Sequence, residues 1–483
     1  MANFLKVFLV TVFALLVIGT VVAQDDELEG TLQFYPASYY SPEAQPEGAA
    51  EVEAVIADYE ALHPGVEIDM IPFIPWGEFE VFFQTRLAAG QEPHLSWRHY
   101  YLRNPEGEEV WVPLNDYFEM PNPYIPEGLP GHDRWGDVFE ERMLEQVRAG
   151  DGNWYQISMD WTEGGWHYNT EIFEELGIEP DWTNITEFYE DCALMRENGI
   201  EPLGIWVPSS GSSSYQWLDD NLFTEAFSDQ VMDWQLPQYM NPNLDWRQLA
   251  QEEVAKAIYD GHLSVDNPRF DYYLQFHRDL ADNCLIEGFA GISSWDEMAR
   301  LFIEGEVAIG WFSAAHFFSY NFDEVVNYGR TFMPPITQAE NPYSIHEDSM
   351  YRVGGPSSPG QMGISQRAAN EGLLEEAVDF MMYWTAPQSF ERVYDTFPVF
   401  MPQVKGLEAD SLRFDFVQEF PSRAVTDPVA RLTAEFGTTH NRLFQQFMLG
   451  EITGDELKTE YQSAMERAVD DLCRDNDWEW CDS

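Results

Sequence analysis

The chain of 483 residues carries 85 acidic and 25 basic residues, which gives a formal net charge of −60 and a pI near 4.1. This charge would repel nucleic acid and anionic membranes, so both are excluded as expected partners. The length favours two lobes or domains over one compact core, and the 45% of hydrophobic residues argues against a disordered acidic chain. Only four lysines accompany 21 arginines. A compositional bias of the lineage and an adaptation to high salt both remain open as explanations.

The first 23 residues are predicted to be a signal peptide. Lys6 precedes an apolar run that ends in Val21, Val22 and Ala23, and these fit the small-residue rule for cleavage before Gln24. No cysteine lies at that point, so a lipid anchor is not expected. No later run reaches the roughly 18 apolar residues of a membrane helix. The sequence therefore predicts an exported protein, periplasmic or extracellular.

Four cysteines in an exported chain favour disulfides and allow three pairings. The preferred pairing joins Cys192 to Cys284, which could link two helices of one lobe, and Cys473 to Cys481, which closes a short loop. The chain contains no Cys-x-x-Cys, and we expect neither a metal site nor a cofactor.

Strands and helices alternate at the start of the mature chain. Residues 31–35 and 66–70 are predicted strands, and the apolar residues between them recur at helical spacing at Val52, Val55, Ile56 and Tyr59. The loop at 36–46 carries Tyr39 and Tyr40. Loops at the carboxyl ends of strands are where open α/β sheets bind ligands.

The segment 153–206 carries the clearest signals. Residues 154–159 alternate as a half-buried strand does. Residues 160–166 mix two carboxylates and two indoles with a glycine pair, and are predicted to be a loop at the lip of a site. Two capped helices should follow, from Asn169 to Gly177 and from Asn184 to Gly199.

Later segments add a second polar region. Residues 209–215 are predicted to form a flexible polar loop, which is either a linker or a segment that closes over ligand. A helix at 295–303 and a strand at 305–311 should precede an aromatic polar loop at 313–317. The last helix should begin at Thr453, with Glu456 completing a capping box.

The order of these motifs resembles that of the sugar-type extracellular solute-binding proteins of ABC importers, family 1, which are maltose-binding-protein-like. Tyr168-Asn169, the short helix, Pro-x-Trp-Thr and Asn-Gly-Ile-Glu-Pro match the family's first interlobe crossing, and Phe-x-x-Gly-x-Val-Ala at 302–308 is a further marker. Relatives have Asp in place of His94 and Gly-x-Trp near 313–317. The usual stacking tryptophan is therefore absent or replaced by a nearby aromatic residue.

The resemblance implies an α/β fold of two lobes, periplasmic-binding-protein-like, each a sheet flanked by helices, with the ligand in the cleft between them. Lobe 1 would comprise residues 24–160 and 351–395, and lobe 2 residues 161–350 and 396–483. The chain would cross between the lobes more than once.

A sugar site needs flat aromatic faces for the C–H surfaces of the rings and polar groups for the hydroxyls. The expected ligand-binding residues, most of them at predicted strand ends, are Tyr39, Tyr40, Trp76, Trp97, Arg98, Asp160, Trp161, Glu163, Trp206, Tyr215, Trp217, Trp311, His316 and Phe317. The chain has no Gly-x-Ser-x-Gly, His-Glu-x-x-His, P-loop or Gly-x-Gly-x-x-Gly motif, and no catalytic residue is expected.

The function implied is capture of a mono- or oligosaccharide by a monomer, which delivers it to the transmembrane subunits of an ABC permease without catalysis. Two alternatives remain open. The same fold could bind a peptide, a polyamine or another small solute, or the chain could be a secreted glycosidase, since the spacing of paired carboxylates is set by the fold.

Overall fold

The computed structural model describes residues 28–36, 40–41, 46, 48–74, 78–97, 110–148, 153–209, 214–237, 249, 251–292, 294–313, 316, 320–344, 353–356, 361–398, 400–407, 432–476 and 478–482. The predicted signal peptide, its cleavage point and the question of a lipid anchor there lie outside these residues. Within the ranges described, none of the helices combines the length and the apolar character needed to cross a bilayer.

Eleven strands are found in the described residues. In chain order they are β1 Gly30–Phe34, β2 Val66–Met70, β3 Leu95–Ser96, β4 Ile157–Ser158, β5 Asp160–Asn169, β6 Glu201–Gly204, β7 Val307–Ser313, β8 Tyr328–Thr331, β9 Val353–Pro356, β10 Gln361–Ile364 and β11 Met401–Pro402.

The α-helices of the same ranges surround these strands. They are α1 Ala49–Leu62, α2 Phe79–Ala88, α3 Asn115–Phe118, α4 Glu141–Val147, α5 Thr170–Leu176, α6 Ile185–Glu197, α7 Ser214–Val231, α8 Gln251–Tyr259, α9 Pro268–Asn283, α10 Trp295–Ile303, α11 Phe322–Val325, α12 Gln366–Glu371, α13 Leu374–Trp384, α14 Pro387–Tyr394, α15 Ala434–Met448 and α16 Gly454–Asp475. Short 3-10 turns lie at Trp135–Val138, Met232–Trp234 and Glu479–Asp482.

The strands form two separate sheets, one in each lobe. The first has the order β2-β1-β3-β10-β4, in which β1 runs parallel to β2 and β3, and β10 runs antiparallel to β3 and β4. The second has the order β11-β5-β7-β6, and β5 also pairs with β8 and β9. The predicted α/β fold of two lobes, each a sheet flanked by helices, is therefore confirmed.

Each sheet has its own core of apolar side chains. The first core packs β1 against α1 and α13, where Val52, Val55 and Tyr59 of the predicted helix are buried. The second core is larger and combines β6 and β7 with α6, α7, α9, α15 and α16. Phe397 and Phe400 pack in the first core. The exact lobe limits drawn from the sequence remain a prediction.

Within the described residues, successive parts of the chain belong to different cores at three places. The first passage is direct, because Ser158 ends β4 in the first sheet and Asp160 begins β5 in the second. The second lies between Pro356 of β9 and Gln361 of β10, and the third between residues 407 and 432. At the first passage the backbone N–H of Gln403 donates to the carbonyl of Met159 at 2.7 Å, so the chain just after β11 supports this passage.

The loop predicted at 160–166 is wrong, because these residues form the first part of β5. Their backbone pairs on both sides, with β7 across Gly164 and Gly165, and with β9 across Glu163 and Gly164. Gly164, one of the two glycines that suggested a turn, instead leaves room for a large neighbouring side chain. The preceding strand is shorter than predicted, with β4 confined to two residues.

The two capped helices after β5 are confirmed. The Asn169 side chain accepts from the first-turn N–H groups of Glu171 and Ile172, and Gly177 ends α5 with a left-handed φ of 69°. Asn184 caps α6 by accepting from the N–H of Glu187, whereas the Glu187 carboxylate accepts from the N–H of Thr183. The capping box of Thr453 and Glu456 is complete at the start of α16.

The structure contains the disulfides of the preferred pairing. Cys192 of α6 bonds to Cys284 at the end of α9, and Cys473 of α16 bonds to Cys481. The first disulfide links two helices of the second core, and the second holds the chain terminus near α16.

A buried carboxylate joins three helices of the second lobe. Asp219 of α7 accepts from His277 of α9 at 3.0 Å and lies 3.2 Å from His440 of α15, and the hydroxyl of Tyr273 also donates to it. Burial alone would raise the pKa of the Asp219 carboxyl, but the two histidines hold that pKa well below its usual range. The carboxylate therefore stabilises the fold by its charge.

We predict that Asp219→Asn lowers the free energy of unfolding by about 3–5 kcal/mol at pH 7, the usual effect of removing one partner of a buried ion pair. Because the folded pKa is depressed, this contribution is present above the unfolded carboxyl pKa of about 3.9 and is lost as the pH falls below it. Denaturant titrations at pH 7 and at lower pH should show the difference between the two proteins shrinking.

The matched control is Asp260→Asn. Asp260 pairs at 2.7 Å with Lys256 on the surface, where an ion pair contributes less than about 1 kcal/mol. An Asp219→Asn protein as stable as the wild type at pH 7, or one whose deficit is unchanged in acid, would contradict this account.

Candidate ligand-binding site

The carboxyl ends of the parallel strands in both sheets face the crossing region. In the first sheet, β4 runs in the same direction as β1 and β3, and its carboxyl end leads straight into the first passage. In the second sheet, β7 runs antiparallel to β5, so Ser313 at its carboxyl end pairs with Gly164 near the start of β5. β6 is parallel to β7 and ends on the same side. Open α/β sheets bind ligands at such edges.

Aromatic side chains occupy this edge of the first sheet. Tyr35 follows β1 and stacks on Phe79 of α2 at 4.8 Å between ring centroids, and Phe79 contacts Trp97 after β3 at 4.7 Å. The indole N–H of Trp97 donates to the side-chain oxygen of Gln361 at 3.3 Å. We call Tyr35, Phe79 and Trp97 the lobe-1 aromatic cluster. Gln361 is the first residue of β10, so its bond to Trp97 connects this cluster to the strand that follows the second passage.

A second aromatic cluster occupies the corresponding edge of the second sheet. Trp206 follows β6 and meets Trp295 edge-on at 4.5 Å between centroids, and Trp311 of β7 lies 5.9 Å from Trp295. The His316 ring stacks on Trp295 at 4.0 Å. We call Trp206, Trp295, Trp311 and His316 the lobe-2 aromatic cluster. Its members come from three different elements, which all end or begin at this edge.

Gly164 makes the position of Trp311 possible. A Cβ atom added at Gly164 would lie 2.0 Å from Cζ2 of the Trp311 indole, well inside van der Waals contact. The indole thus packs directly on the backbone of β5, and the glycine is required for that close approach. This explains the glycine in the middle of a paired strand.

His316 is neutral at physiological pH. Its ring is partly buried, and burial lowers the pKa of His316 to about 3. The backbone N–H of Ser313 donates to Nδ1 at 2.9 Å. The ring is therefore held at the carboxyl end of β7 as an uncharged group.

Tyr40 and Asp160 meet at the first passage. The Tyr40 hydroxyl donates to Oδ2 of Asp160 at 2.6 Å, and both side chains are fully buried. Burial, followed by the charge of Asp160, raises the pKa of Tyr40 well above its usual range, so the hydroxyl keeps its proton. This hydrogen bond joins the loop after β1 to the start of β5. Trp161, the next residue, is also buried, and its backbone pairs with Met401 and Pro356.

Tyr215 lies in the first turn of α7, above the buried Asp219. Its ring lies 5.7 Å from that of His277 and 6.1 Å from that of His440. The side chain is 1% exposed. The structure thus places Tyr215 in the polar part of the second core.

Some of the predicted site residues lie outside the described residues, namely Tyr39, Trp76, Arg98 and Phe317. Glu163 lies in β5 and Trp217 in α7, but their side chains are not described. Of the others, the structure groups Trp206, Trp311 and His316, places Trp97 at the edge of the first sheet, and brings Tyr40 and Asp160 together. A role in ligand binding remains a prediction for all of them.

Three members of the clusters, Tyr35, Phe79 and Trp295, were not predicted from the sequence, and neither was the role of Gly164. A usable signal did exist for Trp295. The helix that precedes a strand in an α/β unit begins at that strand's carboxyl edge, so Trp295, next to the N-cap Ser294, should lie there.

Comparison with known proteins bears on the family and the fold. Residues 42–267 match the family described as bacterial extracellular solute-binding protein. The resemblance to this family is confirmed. No curated protein sequence gave a match.

Solved structures of solute-binding proteins share the fold over 91% of this chain. A chitin oligosaccharide binding protein is 18% identical with a TM-score of 0.65, over 91% of this chain and 99% of that one. The solute-binding protein RafE in complex with raffinose is 16% identical with a TM-score of 0.58, over 91% and 100%. A sugar transporter protein from Bacillus licheniformis in complex with stachyose is 15% identical with a TM-score of 0.57, over 91% and 100%. At these identities the likeness is one of fold.

We predict that Gly164→Ala displaces the Trp311 indole and lowers the free energy of unfolding by about 1–3 kcal/mol, the usual cost of overpacking. Denaturant unfolding and tryptophan fluorescence would measure both effects. Gly291→Ala is the matched control, because a Cβ there would meet only the Gly288 carbonyl oxygen, at 3.4 Å. Equal stability and equal emission spectra for the two variants would show that Trp311 does not depend on Gly164.

Proposed function

We propose that the protein captures a mono- or oligosaccharide outside the cytoplasm and delivers it to the transmembrane subunits of an ABC permease. One observation carries this proposal, namely that each lobe presents an aromatic cluster at the strand ends beside the crossing. Aromatic faces pack against the C–H surfaces of sugar rings, while nearby polar groups fix the hydroxyls. A ligand that bridges Trp97 on one side and the lobe-2 aromatic cluster on the other would be enclosed.

The similar structures support the same class of ligand. Their names and contents refer to chitin oligosaccharide, raffinose and stachyose. These sugars differ in composition, but all consist of linked rings with many hydroxyl groups. We therefore favour a saccharide over a peptide as the ligand of this chain.

Transport follows from a change in the lobe arrangement. A ligand that contacts both lobes binds their closed arrangement more tightly than an open one, and it shifts the population by that difference in affinity. The direct passage from β4 to β5 can act as a hinge for such a closure. The permease would then recognise the closed, loaded form.

The charge of −60 narrows the range of ligands further. A field of this sign disfavours polyanions at long range and leaves neutral solutes unaffected. Neutral sugars fit this charge, and a cationic solute such as a polyamine would be attracted by it. The polyamine is therefore the second candidate to test.

Titration calorimetry should show saturable one-to-one binding of at least one sugar from a panel of raffinose, stachyose and chito-oligosaccharides. After prolonged incubation, chromatography should recover that sugar unchanged, because the proposed function requires no bond to break. The appearance of shorter sugars would favour the glycosidase alternative and overturn the proposal.

A thermal-shift screen over sugars, amines and peptides gives the matched comparison. A ligand at 100 times its Kd stabilises the folded state by about 2.7 kcal/mol, so a true ligand raises Tm clearly. A rise in Tm with spermidine or peptides, and none with sugars, would show that the ligand is one of those solutes and would contradict the proposed saccharide ligand.

A further inference from the structure

Ser313 fixes which nitrogen of His316 carries the proton. The backbone N–H of Ser313 donates to Nδ1 at 2.9 Å, and the side-chain hydroxyl oxygen of Ser313 lies 3.0 Å from the same nitrogen. A ring nitrogen that accepts a hydrogen bond from a backbone N–H carries no proton itself. The neutral imidazole therefore has its single proton on Nε2, which can act only as a donor.

Neighbouring rings fix the plane of the imidazole. Trp295 stacks on it with 4.0 Å between centroids and 30° between the planes, and the ring of Tyr320 lies parallel to it at 6.1 Å. These contacts are made by the faces of the ring and do not involve its Nε2 edge. Within the described part of the chain, no hydrogen bond or ion pair reaches Nε2.

His316 lies at the edge of the second sheet that carries the candidate site. Ser313 ends β7 opposite Gly164, at the side of the second sheet where the chain crosses between lobes. The residues that support the ring, Trp295 and Ser313, are themselves held by Trp206, Trp311 and the β5–β7 pairing. His316 is thus a preorganised polar group within an otherwise apolar cluster.

We propose that His316 is a specificity-determining residue, whose Nε2–H donates a hydrogen bond to an oxygen acceptor of the bound sugar. This inference rests on the proposed function. A hydroxyl, ring or glycosidic oxygen can accept such a bond. A fully protonated polyamine has only N–H donors and would leave Nε2–H unpaired at this point. The residue therefore selects neutral, oxygen-rich ligands against cations that the overall charge would attract.

The test is His316→Phe, which keeps an aromatic ring on Trp295 but removes both nitrogens. With raffinose, stachyose or a chito-oligosaccharide that the wild type binds, calorimetry should show about 2- to 10-fold weaker binding, the range for one neutral hydrogen bond. Tm without sugar should fall, because the Ser313 N–H loses its acceptor, so both affinities are measured at a temperature at which both proteins are folded. His316→Gln, whose amide N–H can reach a similar point, should recover part of the affinity.

A spectroscopic measurement separates donation from packing. In wild-type protein with ¹⁵N-labelled histidine, the Nε2-bound proton of His316 should exchange more slowly with water when the sugar is bound. Equal sugar affinity of wild type and His316→Phe, or an exchange rate unchanged by sugar, would overturn the inference and leave the proposed function intact. If His316→Phe does not fold, His316→Gln and the exchange rate decide. A wild type that binds none of these sugars would instead overturn the proposed function itself.

Discussion

The pairing at the start of β5 is the constraint on which the rest of the structure depends. The backbone of Asp160 and Trp161 pairs with β11 on one side, and that of Trp161 pairs with β9 on the other. The Asp160 carboxylate also accepts a hydrogen bond from the buried hydroxyl of Tyr40. Buried backbone groups must be paired, so these contacts fix where the chain leaves one sheet and enters the next. The carboxyl ends of both sheets then border the same crossing, and each sheet carries its aromatic cluster at that edge.

Local signals allowed much of the fold to be predicted. Helix caps are formed by residues close together in sequence. In the structure Asn169 and Gly177 bound α5, and Thr453 with Glu456 caps the start of α16. The alternation of strands and helices indicated the α/β class for the same reason, because periodicity and capping are read within a single element. The order of these elements then carried the family resemblance.

Features that depend on distant parts of the chain could not be predicted. The segment 160–166 has the composition of a loop, and only its pairing with β7 and β9 makes it a strand. Gly164 is explained by Trp311, which is remote in sequence, and Trp295 gains its place from Trp206 and His316. The buried bond between Tyr40 and Asp160 is equally non-local, so two residues expected to contact ligand also support the crossing.

The central claim is that one ligand contacts both lobes beside the crossing, and hydrogen–deuterium exchange with and without a bound sugar tests it most directly. The account predicts sugar-dependent protection in peptides from both lobes, covering 28–36 and 78–97 in the first and 201–209 and 307–313 in the second. Peptides from α16, away from this edge, should exchange at the same rate in both states. Protection confined to a single lobe, or protection of α16 alone, would contradict a site formed between the lobes.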